Sequence, residues 1–200
     1  MKDKNYKVKK LAQTSLFAAL CFISITFLQI KIPVPGGDFT SLHIGNAFCV
    51  LAALLLGGWY GGFAGAIGMT LADLLDPVYI IIAPKTFILK LCIGLITGLV
   101  AHNYAKINMS NDKKYITKWV LISSISGLGF NVIFDPIVGY FYKLYILGQP
   151  QEFAAILAKL SAVTTFVNAL VSIVLVSLIY NAIINPLKKS GFILDVKVIK

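Results

Sequence analysis

The sequence predicts an all-α membrane protein: a six-transmembrane-helix bundle with both termini on the cytoplasmic side and an outer lid loop between helices 1 and 2. Three observations predict it. Of 200 residues, 58% are hydrophobic and 13% charged, whereas soluble domains carry about half and about a quarter; the mean hydropathy is +0.84. The apolar residues fall into runs near the roughly 20 residues that a helix needs to cross a hydrocarbon core of about 30 Å. Most of the 18 cationic residues, all lysine, cluster between those runs instead of covering one face. Such a chain cannot hide its apolar surface in one water-soluble core, which excludes a soluble enzyme, a disordered chain and a nucleic-acid binder. In a membrane protein a formal charge of +10 reports topology and not a polyanionic partner.

The whole chain, 1–200, is expected to form a single transmembrane domain. Its first helix covers about 11–30, behind a basic head of Lys2, Lys4, Lys7, Lys9 and Lys10. The head resembles a signal peptide, but the apolar run is too long and lacks a small-residue cleavage site, so an uncleaved helix is expected. Residues 31–42 contain Pro33, Pro35, Gly36 and Gly37; prolines remove backbone donors, so this segment is not helical. Residues 43–75 are nearly all apolar around the Gly-Gly-Trp-Tyr-Gly-Gly turn at 57–62. Two short helices follow, about 43–57 and 61–75, whose shortness implies tilt or ends roofed by protein.

Asp76-Pro77 ends the third helix, and a fourth covers about 84–104. The polar stretch 105–118 precedes a fifth helix at about 119–142, and the Gly148-Gln-Pro150 loop precedes a sixth at about 153–184. An even number of crossings puts both termini on one side. That side gathers thirteen of the eighteen lysines, from the head, the 105–118 stretch and the tail (Lys188, Lys189, Lys197, Lys200). The positive-inside rule makes it the cytoplasmic one.

Ionisable groups at membrane depth are costly unless paired or solvated, so each calls for an explanation. In this topology His43 and Asn46 open helix two at its outer end, Asp73 lies near the outer end of helix three, and Lys85, Thr86 and Lys90 open helix four. Asn131 and Asp135 stand roughly 18–25 Å along helix five from Trp119. These segments deliver polar groups to one depth, beneath the 31–42 loop as a lid. One explanation is a ligand pocket; the other is a structural network in which Lys90, paired with Asp73 or Asp135, glues helices together. Either way a carboxylate partner for Lys90 is expected. Tyr79, Tyr140, Phe141, Tyr142 and Tyr145 gather at the same level, most as interfacial belt residues, with one or two stacking on a flat ligand. Thr164, Thr165 and Asn168 of helix six face either the pocket or a neighbouring helix. Asp38 is expected to be a solvated loop residue, and His102 an interfacial one at the inner end.

Glycines recur at three- and four-residue steps (Gly57, Gly58, Gly61, Gly62, Gly65, Gly68; Gly94, Gly98), a spacing that lets helix backbones approach closely. On helix one Thr14, Ser15, Ala18 and Ala19 make two small-xxx-small pairs near the cytoplasm, for packing within the bundle or for a partner protein. Cys21, Cys49 and Cys92 sit inside apolar runs without CxxC spacing, so they read as small hydrophobes and not as a disulfide frame or metal site. There is no GxxxxGK[ST] loop, no HExxH or GxSxG, and no evident inverted repeat. No catalytic residue and no metal ligand is expected. The chain reads as a ligand-capturing unit without an engine.

Several stretches resemble the substrate-binding S components of energy-coupling factor (ECF) vitamin transporters: Ile32-Pro-Val-Pro-Gly-Gly, Leu42-His-Ile-Gly-Asn46, Leu54-Leu-Leu-Gly57, Gly61-Gly-Phe-Ala-Gly-Ala-Ile-Gly68, Leu71-Ala-Asp73, and Ala83-Pro-Lys-Thr86 followed by Lys90 and Gly94. Gly139-Tyr-Phe141 and Asn168 resemble the pattern of the last two helices; Asn46 stands where many relatives carry Asp. The subgroup resembled holds riboflavin-, hydroxymethylpyrimidine- and pyridoxine-type members. The resemblance implies a multi-pass protein of the bacterial cell membrane that captures a water-soluble vitamin or precursor from outside, with a pyridoxine- or hydroxymethylpyrimidine-like ligand favoured. His43, Asn46, Asp73, Tyr79, Lys85, Lys90, Asn131, Asp135, Phe141 and Asn168 are the candidate ligand contacts. It further implies docking through Thr14, Ser15, Ala18 and Ala19 onto a transmembrane coupling T subunit that joins two cytoplasmic ATPases. No cofactor is bound by this chain; ATP is used by the partners. The alternatives are an S component for another vitamin, such as riboflavin or folate, a small intramembrane enzyme using His43 with Asp73 or Asp135, or an assembly protein.

Overall fold

The structure, a computed structural model, describes residues 2–34 and 39–190, with side chains from Tyr6 onward. Asp38, the tip of the 31–42 segment, and Lys197 and Lys200 of the tail lie outside the described residues. The described residues form six α-helices: α1 (Lys2–Phe27), α2 (Gly45–Leu56), α3 (Gly58–Leu75), α4 (Ala83–Gly98), α5 (Lys113–Phe141) and α6 (Gln151–Lys189). Two strands, β1 (Ile30–Pro33) and β2 (Phe39–Leu42), pair antiparallel between α1 and α2, with Ile30 opposite Leu42. The segment expected to be a plain loop is therefore a short ribbon.

The second helix lies at the centre. It packs against α1, α3, α4, α5 and α6, and every residue in it except Phe48 is buried. A helix that is apolar all round must be enclosed, and this one is enclosed by protein. That explains a length of 12 residues, about 18 Å, too short to cross a bilayer alone. Among the described residues, four segments are long and apolar enough to cross: Tyr6–Phe27, Ile80–Tyr104, Lys113–Ile146 and Gln151–Lys189.

Several boundaries differ from the sequence expectation, each for a local reason. The Gly-rich turn shrinks to Gly57 alone, at φ +96°, a left-handed backbone that favours glycine. The glycines after it belong to α3, where they serve interhelix contact. A Cβ on Gly94 would come within 2.2 Å of the Gly62 Cα, and one on Gly98 within 2.2 Å of the Gly58 Cα. Helix α3 thus meets α4 backbone to backbone, as small-residue seams allow. The basic head is helical, so α1 starts at Lys2 instead of residue 11. Helix α5 starts at Lys113, before the apolar run, because the Asp112 carboxylate accepts the Lys114 N–H at 2.9 Å and caps the helix,. Both α4 and α5 run on into wide π turns, Leu99–Tyr104 and Tyr142–Ile146. Helix α6 begins at Gln151 and passes through Pro186 to Lys189.

Hydrogen bonds fix which ends lie together. Lys10 Nζ donates to the Leu56 carbonyl, His102 Nε2 meets the Ala53 carbonyl, and Tyr115 donates to Ala105. These mark one end of the bundle, called inner from the lysine pattern. At the outer end Lys31 pairs with Asp76, Thr40 meets Thr164, and Tyr142 donates to Ile81.

Candidate ligand-binding site

The outer end of the bundle encloses a cavity of about 350 Å³, within the size range of small-molecule sites. Its floor is the amino end of α2, with His43 and Asn46; that end has no side-chain cap and so contributes partial positive charge. Its walls are Asp73 of α3, Lys85, Thr86 and Lys90 of α4, Asn131 and Asp135 of α5, and Ser161, Thr165 and Asn168 of α6. Its roof comes from the ribbon, with Val34, Phe39, Thr40 and Ser41. Nine of the ten candidate contact residues line this one space. The exception is Phe141, which turns outward, half exposed, edge-on to Tyr140 and stacked on Tyr145 at 6.0 Å. It sits two positions along α5 from Gly139, which does face the cavity, so the helical turn carries its ring to the outside. Tyr79 is buried in the wall with the Lys31 ammonium 5.3 Å from its ring centre, and Phe39, Tyr142 and Phe153 also line the space.

The ion pair forms differently from expectation. Asp135 accepts from Lys85 at 2.9 Å and from the hydroxyls of Ser161 at 2.7 Å and Thr165 at 3.1 Å. The side chains of the pair are only 10% and 14% exposed, and with its hydroxyl partners the pair ties α4, α5 and α6 together. Lys90, by contrast, has no carboxylate within salt-bridge distance among the described residues. Asp135 and Asp73 act on it only through the field. Lys85 stands five residues nearer the mouth than Lys90 on α4, which lets its long side chain reach the outer turn of α5. Lys90 instead lies over the bundle centre, 8% exposed, at the cavity wall.

Two further polar groups wait at the same wall. The carboxamide oxygens of Asn46 and Asn131 are buried with no hydrogen-bond partner among the described residues. His43 accepts the Gly45 N–H on Nδ1 at 3.2 Å, which leaves the proton on Nε2 as a donor. No hydrogen bond joins His43 to Asp73 or Asp135 among the described residues. Asn168 is occupied: its oxygen accepts the His43 N–H at 3.1 Å and its nitrogen donates to the Ser41 carbonyl at 2.9 Å. It positions the ribbon-to-α2 junction, a role that the sequence pattern did not reveal. Ser161 is also new: a serine in an apolar helix gives no signal until its partner is known.

At the inner end the Thr14/Ser15/Ala18/Ala19 stripe divides. Thr14 is buried and a Cβ on Gly68 would press on the Ala18 carbonyl, so this pair packs against α3. Ser15 and Ala19 are exposed. His102 is buried at 3% exposure, not interfacial, because its ring reaches under α2. The described cysteines are free, and among the described residues no group of His, Cys, Asp and Glu could hold a metal ion.

Apolar helices closed around one roofed polar chamber define the class, a helical-bundle membrane protein. The chain belongs to the family described as ECF-type riboflavin transporter, S component, whose model matches residues 5–185. In fold it is similar to ThiT from Listeria monocytogenes, with a TM-score of 0.62 and 19% identity over 92% of this chain and 97% of that one. It is also 33% identical over 88 residues to an "uncharacterized protein in gap 3'region" of Pyrococcus woesei. That match takes in 42% of this chain and 57% of the relative, so the chain spans little more than half of that relative's length.

Proposed function

We propose that this protein captures a water-soluble vitamin or vitamin precursor at the outer face of the membrane and delivers it inward as the S component of an ECF-type importer. The observation that carries the proposal is the chemistry left open around the cavity. One buried ammonium (Lys90), one imidazole N–H (His43) and two carboxamide oxygens (Asn46, Asn131) converge without saturating one another. A site with buried polar groups of both kinds selects a ligand that satisfies all of them and rejects analogues that leave one bare. The complementary ligand is a heterocycle with an acceptor beside N–H or O–H donors, while the Lys85–Asp135 pair serves as scaffold. Riboflavin is the first candidate because the matching family is named for it; pyridoxine and hydroxymethylpyrimidine present the same kind of polar edge. In this reading the termini face the cytoplasm, and the exposed Ser15 and Ala19 meet the T subunit that joins two ATPases. The chain itself performs no chemistry.

The test is native mass spectrometry of the purified protein, followed by titration with a vitamin panel. The expected result is one co-purifying heterocycle that rebinds at one-to-one stoichiometry and binds about ten- to hundredfold more weakly to Lys90→Met. A protein that binds no panel member, and from which denaturation releases no small molecule, sinks the proposal.

A further inference from the structure

A second cavity, of about 630 Å³, opens at the inner end of the bundle among α1, the α2–α3 junction and the end of α4. It lies at the opposite end of the molecule from the vitamin site and shares no lining residue with it. One part of its wall is cationic: Lys7 is exposed at the rim, and Lys10 is buried deeper, its ammonium 5.1 and 4.9 Å from the ring centres of Tyr6 and Tyr60. The other part is apolar and continues onto the outer surface of the bundle, where Leu99 and Trp59 are each nearly half exposed. Trp59 also stacks on the exposed ring of Phe63 at 6.0 Å. His102 belongs to the wall. Its Nε2 is used on the Ala53 carbonyl at 3.0 Å, while its Nδ1 is buried with no hydrogen-bond partner among the described residues. With Nε2 as donor, Nδ1 of the neutral ring is an acceptor.

We infer that this cavity holds the headgroup of an anionic, hydroxyl-bearing glycerophospholipid, phosphatidylglycerol being the simplest of that chemistry. The phosphodiester is matched to the lysines, a headgroup hydroxyl to the histidine acceptor, and the acyl chains to the apolar strip past Leu99 and Trp59. Basic pockets between membrane helices at the cytoplasmic face are the usual places for such headgroups, and Trp belongs at that interface. A soluble anion would use the lysines but leave the strip without a partner.

The test uses the full-length protein in detergent micelles, with lipid retention read by native mass spectrometry. Phosphatidylglycerol is titrated against phosphatidylcholine of the same chains, with soluble glycerol phosphate as competitor. Phosphatidylglycerol is expected to be retained in preference, glycerol phosphate not to displace it at matched concentration, and Lys7→Gln to weaken retention about fivefold. Lys159→Gln, which removes a lysine outside this cavity, is expected to have no effect. Both variants alter exposed side chains, and thermal unfolding verifies that they fold. Equal retention of the two lipids, or equal losses from Lys7→Gln and Lys159→Gln, overturns the site. Displacement by glycerol phosphate reassigns it to a free anion and overturns the lipid assignment.

Discussion

Lys85 and Lys90 stand five residues apart on one helix and meet different fates. Lys85 is locked to Asp135, and removing one member of a buried pair leaves the other charge uncompensated. Lys85→Met is therefore expected to destabilise the protein by about 3 kcal/mol, and adding Asp135→Leu should restore part of that, as measured by thermal or denaturant unfolding in detergent. Lys90 makes no direct ion pair among the described residues, so its removal relieves a desolvated charge. Lys90→Met should leave stability equal or higher while costing the ligand a charge-assisted hydrogen bond, about ten- to hundredfold in affinity. Isothermal titration with the co-purified ligand checks the second half. The reverse pattern, with Lys90→Met unfolding and Lys85→Met tolerated, would make Lys90 the structural partner. The candidate contacts were readable because ionisable groups in apolar helices are conspicuous. Which lysine takes the carboxylate was not, because that choice depends on where α5 stands relative to α4.

The ribbon roofs part of the cavity. Thr40 and Ser41 fasten it to α6, and Lys31 fastens it to Asp76 at the α3–α4 connection. Partial burial works to raise the Asp76 carboxyl, but the Lys31 ammonium and the Val78 N–H outweigh it and hold it below its ordinary value. A carboxyl lowered in the folded state stabilises the closed ribbon fully above the ordinary Asp range, about pH 4, and loses that contribution as pH falls through its own lower value. Ligand dissociation is accordingly expected to be flat between neutral pH and about pH 5 and to accelerate below the carboxylate range. Asp76→Asn should show the faster dissociation already at neutral pH and converge with the wild type in acid, where the carboxyl is protonated. Stopped-flow release measured across pH checks it; an acid acceleration unchanged in Asp76→Asn would assign the effect elsewhere. Two prolines and a glycine pair excluded a helix here, yet they did not disclose strands, since pairing Ile30 with Leu42 takes a partner that local propensity does not see.

For the whole molecule, the hydrogen bonds that join Lys10 to Leu56 and Tyr115 to Ala105 place the basic segments at one end, and Lys31, Lys85 and Lys143 belong to the other. A cysteine introduced as Lys114→Cys is expected to react with a membrane-impermeant maleimide only in inside-out vesicles, and Lys143→Cys only in right-side-out ones. The native cysteines are buried or partly buried, which keeps the background low. Labelling of both sites from one side would remove the proposed orientation and with it the uptake direction.

Composition and hydropathy by themselves determined that this is a helical membrane protein, roughly where its helices lie, and which side chains had no business in lipid. Those are properties of single residues and short windows, and transfer energies read them directly. Only the tertiary structure decided that α2 is enclosed by protein, that Phe141 faces away, that Asn168 holds the ribbon, and that Asp135 belongs to Lys85. Each of those is a relation between segments up to 127 residues apart. It is settled by close approach along the Gly58/Gly98 and Gly62/Gly94 seam and by the wrapping of the other helices round α2, neither of which any one stretch of chain encodes alone.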